Sequence, residues 1–67
     1  MNILTIENKV VTIQLSVHEL NVLNNALNEV CNGLEIPEFS TRMGAEIEEV
    51  LTLLNQINVL LSEIDVN

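Results

Sequence analysis

Arg42 is the only arginine in this chain, and it directly follows two hydroxyls, Ser40 and Thr41, and the only phenylalanine, Phe39. A guanidinium beside hydroxyls suits a carboxylate or phosphate, because its planar fork makes two parallel charge-assisted hydrogen bonds. The same fork suits the chain's own acids, and Glu29, Glu35, Glu38 and Glu46 all lie close in sequence. On one reading Phe39, Thr41, Arg42 and Glu29 form a ligand or partner site. On the other, Arg42 pins a connection to a helix and Phe39 seals between helices. Carboxylates also cluster, at Glu35 and Glu38 and at Glu46, Glu48 and Glu49. Acid and base chemistry needs carboxylates in contrasting environments within a cleft, for which a short chain has little room. His18 is the single histidine and Cys31 the single cysteine, so neither has the companions a metal site or a nucleophile requires. No glycine-rich phosphate loop is present. The expectation is a non-enzymatic protein with no catalytic, cofactor-binding or metal site.

Charge sharpens that expectation. Ten acidic residues face Lys9 and Arg42, for a formal net charge of −8. Such a surface repels phosphate backbones and anionic lipid, which argues against nucleic-acid and membrane-surface partners. It attracts and steers a basic protein, and it also keeps an aliphatic-rich chain soluble. With 67 residues there is room for one domain, spanning 1–67. A chain of this size buries only about 60% of its unfolded surface, so help from a second subunit is expected. One cysteine forms no internal bridge, which fits a reducing, cytoplasmic setting, with Cys31 as a small buried hydrophobe near Val30 and Leu34. The N-terminus MNILTIENK lacks the basic start and long apolar stretch of a secretory signal, and no apolar run approaches the roughly 18 residues of a membrane span.

The elements that would position these residues read as α+β: an N-terminal β-hairpin, then an antiparallel two-helix hairpin. Residues 2–15 form the hairpin if Asn8 and Lys9 make a two-residue turn. That register pairs Leu4 with Ile13, Ile6 with Val11 and Asn2 with Leu15, and puts nearly all apolar residues on one face. Thr5 with Thr12 and Glu7 with Val10 fall opposite, and Ile3 stays on that outer face. At Ser16 the apolar period lengthens to about 3.6, and Ser16 to Glu19 has capping-box spacing. The first helix is expected over 17–32, carrying Leu20, Leu23, Leu27, Val30 and Leu34 on one side and ending at Gly33 as a left-handed cap. A connection follows over 33–41, stiffened by Pro37. The second helix is expected over 42–64. Gly44 leaves its start open, because Phe39 to Met43 could form a separate turn. Glu63 and Asp65 oppose the dipole at its far end, so fraying is expected after Leu61.

The second helix carries two adjacent apolar stripes: Ile47, Leu51, Leu54 and Leu61, and beside them Val50, Leu53, Ile57, Leu60 and Ile64. Together they cover about half the circumference, more than a helix packed on one neighbour needs. A two-fold homodimer closes that surface most simply, with Val50, Leu53, Ile57, Leu60 and Ile64 as the interface or with hairpins joined edge to edge.

Two short motifs carry a resemblance. Leu27-Asn28-Glu29-Val30 before Gly33, then Glu38-Phe39-Ser40-Thr41-Arg42-Met43-Gly44 ahead of a leucine-rich helix, resembles a group of small bacterial proteins with no established activity. They share an N-E-x-x-x-G stretch and an E-F-x-T-R-x-G stretch before a final helix. The resemblance spans roughly residues 20 to 61, implies architecture and no chemistry, and marks Asn28, Glu29, Phe39, Thr41, Arg42 and Gly44 for inspection. The functional expectation is a small acidic interaction or regulatory protein of the immunity, antitoxin or inhibitor kind, with itself and a basic protein as partners. The alternative is a small-ligand binder built on the Phe39 to Arg42 connection and a dimer groove.

Overall fold

The computed structural model describes residues 1–65, so the last two residues of the expected 1–67 span lie outside it. Its order is β1 (Asn2–Glu7), β2 (Val10–Gln14), α1 (Val17–Asn28), a π-helical turn (Glu29–Gly33), α2 (Phe39–Met43) and α3 (Ile47–Asp65). The two strands pair antiparallel and the helices follow them, an α+β arrangement.

Asn8 and Lys9 both have positive φ, 48° and 65°. Positive φ at both central residues marks the type I′ turn, whose twist matches that of paired strands. Asparagine tolerates this region, whereas lysine is held there at a cost of about 1 kcal/mol. Thr5 with Thr12, Ile6 with Val11 and Glu7 with Val10 pair as the alternation requires. Beyond Thr5 the register shifts. Ile3, not Leu4, opposes Ile13, and Gln14, not Leu15, opposes Asn2. A bulge at Leu4 puts two residues against one, so it reverses the facing of everything before it. Ile3 therefore joins Ile6, Val11 and Ile13 on one face. Asn2 and Gln14 join Thr5, Thr12, Glu7 and Val10 on the other. The bulge disturbs the ladder locally and leaves a cleaner apolar face than strict alternation allows.

The capping box forms as expected. Ser16 Oγ accepts from the Glu19 N–H at 3.0 Å, and Glu19 Oε1 accepts from the Ser16 N–H at 2.9 Å. The end of α1 differs from expectation, because Gly33 is not left-handed. The Leu34 N–H instead donates to the Glu29 carbonyl at 2.9 Å, closing the π-turn, and Leu34 leaves in extended conformation. A side chain at Gly33 would meet only the end of the exposed Glu29 side chain, which is free to swing aside, so neither space nor backbone conformation requires glycine there. The wider turn carries Leu34 off the apolar face, and it is exposed.

Phe39 to Met43 form their own short helix, entered through Glu38 at φ 55° and closed by Gly44 at φ 73°, whose N–H donates to the Ser40 carbonyl at 2.8 Å. Gly44 thus ends α2 in the left-handed conformation that glycine adopts without steric cost. For that reason α3 begins at Ile47 rather than Arg42. It continues to Asp65, four residues past Leu61, after which fraying was expected.

Helix α3 packs along α1 and the π-turn. Leu20, Val50 and Leu54 are buried between them, and Leu27, Leu51, Ile57, Leu61 and Ile64 are half-buried at the margins. Asn24 lies on the same side of α1, and its Oδ1 is buried without a hydrogen-bond partner among the described residues. The hairpin packs only lightly on this helical layer. The result is flat, 36 × 33 × 16 Å, with a radius of gyration of 13.5 Å. A compact chain of this length would have a radius of about 11 Å.

Candidate functional site

The connection that holds Arg42 is tied at both ends by its own backbone. Besides the Gly44 closure, the Arg42 N–H donates to the Glu38 carbonyl at 3.1 Å. Ser40 Oγ donates to Glu46 Oε2 at 3.1 Å, joining α2 to the approach of α3. The Arg42 guanidinium itself has no ion pair among the described residues: none of Glu29, Glu35, Glu38 and Glu46 lies within 4 Å of it. Arg42 and Thr41 are exposed, Phe39 is half-buried, and Glu29 lies exposed over Gly33. The pinning role is therefore performed by Ser40 and backbone caps. Among the described residues Arg42 lines none of the four principal concavities, and the nearest one in sequence is formed by Glu35, Ile36 and Pro37.

The expected interface stripe on α3 divides in the fold. Val50 is buried against α1, so it is not available to a partner, and Ile57 and Ile64 are half-buried on the same side. Leu53 and Leu60 remain exposed. The seam facing α1 thus draws Val50, Ile57 and Ile64 from one stripe and Leu54 and Leu61 from the other, because the boundary between the stripes, not the centre of either, faces α1.

The hairpin leaves a whole apolar face uncovered, although the sequence marked it for edges rather than for its face. Ile3, Ile6, Val11 and Ile13 share one face and are 41–67% exposed, with Leu4 in the bulge 52% exposed. Each strand also keeps one unpaired edge. The hairpin's only charged side chains are Glu7 and Lys9, which cancel.

Where the hairpin meets α1, the N-terminal ammonium of Met1 donates to Glu19 Oε2 at 2.7 Å. This contact holds the Glu19 carboxyl at about 2 instead of 4.5, helped by the Ser16 backbone N–H. Sequence spacing carried no signal for it, since the partners are eighteen residues apart. Beside it Met1, Leu15, His18, Glu19, Val22 and Leu23 line a shallow, mostly apolar groove of about 260 Å³. Leu23, expected in the core, is 43% exposed there. Cys31 is half-buried within the π-turn.

At the other end of α1 the character reverses. Residues 29–49 hold six glutamates, Glu29, Glu35, Glu38, Glu46, Glu48 and Glu49, against Arg42, a net of −5. All six are exposed. Among the described residues no three His, Cys, Asp or Glu side chains are grouped to hold a metal ion, and no helix is long and apolar enough to cross a membrane.

The chain matches no family model, no curated protein and no solved structure. The resemblance over residues 20 to 61 rests on its two motifs alone.

Proposed function

We infer that this protein is a non-enzymatic, acidic interaction protein that works as a homodimer and covers a basic protein surface, in the manner of an immunity protein, antitoxin or inhibitor. The observation that carries the reading is its two-ended character. A charge-neutral apolar hairpin lies at the start of α1, and an exposed acidic turn of net −5 follows its far end. Apolar surface without charge suits association with like molecules, whereas a solvated anionic surface selects and steers a cationic partner. The carboxylates stand in water, where they serve recognition better than proton transfer.

The test is capture from native lysate at low salt with the wild type and with a Glu46→Gln, Glu48→Gln, Glu49→Gln variant. A basic protein retained by the wild type, released by salt and lost from the variant is the expected result. Failure to retain any basic protein would refute the reading. The unpaired Arg42 favours one alternative, a small anionic ligand held at the Phe39 to Arg42 connection. In that case phosphate or a simple carboxylate would raise the melting temperature of the wild type and not of Arg42→Gln.

A further inference from the structure

We propose that the self-association surface is the hairpin's apolar face, packed against the same face of a second copy around a two-fold axis, and that the exposed leucines of α3 stay outside the interface. This rests on the homodimer reading above and names the surface it uses.

Area is the first argument. The chain exposes 5394 Å². A folded monomer of 7.5 kDa typically exposes about 4,200 Å², so roughly 1,100 Å² is in excess. A standard interface takes about 800 Å² from each partner, so one contact accommodates most of that excess. The hairpin contributes to that excess, with Ile3, Ile6, Val11 and Ile13 uncovered on one face and no close backbone packing of either strand on a helix to match that between α1 and α3. A lone two-stranded hairpin is marginal in water and needs a layer against its apolar face. Within this chain nothing among the described residues supplies that layer.

Charge then selects the occupant. Residues 1–15 carry Glu7 and Lys9 and are neutral in their side chains, so the remaining nine acids and Arg42 put the whole net charge of −8 on residues 16–67. Two copies meeting through their hairpins bring neutral surfaces together. Two copies meeting through α3 do not. Leu53 follows Glu49 by four residues and Leu60 precedes Glu63 by three, so each leucine has a carboxylate beside it on the helix surface. Helices in contact lie 8–10 Å apart, about one Debye length at physiological salt, so the carboxylates of two such helices would still repel, partly screened, and salt would weaken the repulsion. A basic partner would meet no complementary charge on the hairpin either. The self-complementary match is a second apolar face, and a two-fold axis places Ile6 and Val11 of each copy near the centre.

The experiment measures mass by sedimentation equilibrium for the wild type, for Ile6→Glu with Val11→Glu, and for Leu53→Glu with Leu60→Glu. The wild type is expected at twice 7.5 kDa. The hairpin variant should raise the dimer dissociation constant about 30-fold or more, while the α3 variant leaves it within a few-fold. Helical circular dichroism checks that the helical pair survives. Should the hairpin variant unfold, amide hydrogen exchange of the wild type at high and low concentration gives the same answer: added protection should fall in residues 2–14. A wild type that stays monomeric at all concentrations removes the homodimer reading and this proposal with it. A dimer broken by the α3 variant and not by the hairpin variant, or concentration-dependent protection confined to α3, keeps the homodimer and overturns the hairpin assignment.

Discussion

Leu53 and Leu54 are neighbours of one residue type on one helix, yet the fold treats them oppositely: Leu54 is 4% exposed and Leu53 is 53% exposed. Truncating each to alanine therefore isolates burial from composition. Leu54→Ala removes three carbons from the seam with α1, a transfer loss of roughly 2 kcal/mol at about 0.8 kcal/mol per carbon. The void adds to it, and the total is expected near 3 kcal/mol, within the usual range for a buried leucine. A chain of this length has a total stability of about 3–10 kcal/mol, so the variant loses a third or more of it. Leu53→Ala forfeits less transfer energy, leaves no void and gains slightly in helix propensity, so it should fall within about 0.5 kcal/mol of wild type. The assay is urea unfolding followed by far-UV circular dichroism at one fixed protein concentration, because association shifts the midpoint. Equal losses for the two variants would refute the reasoning. They would mean that Leu53 is covered by something other than α1, which is what an interface along α3 would produce.

Three further outcomes follow from local geometry. Lys9→Gly relieves the positive φ of 65° and creates an Asn-Gly turn; it should stabilise the hairpin by about 0.5–1 kcal/mol, read from the urea midpoint or from slower amide exchange in β1 and β2. Asn24→Leu removes a buried oxygen that has no partner among the described residues; a gain of about 1 kcal/mol is expected in the same unfolding assay, and a loss would show that the amide is satisfied in solution. The Glu19 carboxyl is depressed from 4.5 to about 2, so its contribution to stability is complete above pH 4.5 and disappears as pH falls toward 2. Glu19 is at the surface, so that contribution is small and salt-sensitive. An NMR titration of its carboxyl carbon checks this, and a midpoint near 4.5 would show that neither the Met1 amine nor the Ser16 N–H holds it.

Much of the architecture was legible because its signals are local. Ser16 and Glu19 are three residues apart, so the start of α1 follows from side chains that reach their own backbone. The Asn8-Lys9 turn and three strand pairs followed from alternation alone. The bulge did not, since sliding one residue of β1 changes no sequence pattern and becomes favourable only when pairing is weighed against the facing of Ile3. The candidate site was legible in its residues and not in its bonding. Arg42 had four glutamates within reach along the chain, but the left-handed residues Glu38 and Gly44 set the direction of α2, and none of the four comes within 4 Å of the guanidinium.

By itself the sequence determined the hairpin, the start of α1 and the long apolar helix that becomes α3, together with the excess of apolar surface and the segregation of charge, all of which depend on residue type and spacing along one chain. Only the tertiary structure decided where that excess lies. Two adjacent stripes on α3 are indistinguishable by periodicity, and choosing between them requires the position of α1, which buries Val50 and Leu54 and leaves Leu53 and Leu60 outside. The hairpin's uncovered face likewise depends on contacts that are not made, and spacing along a chain carries no record of a missing contact.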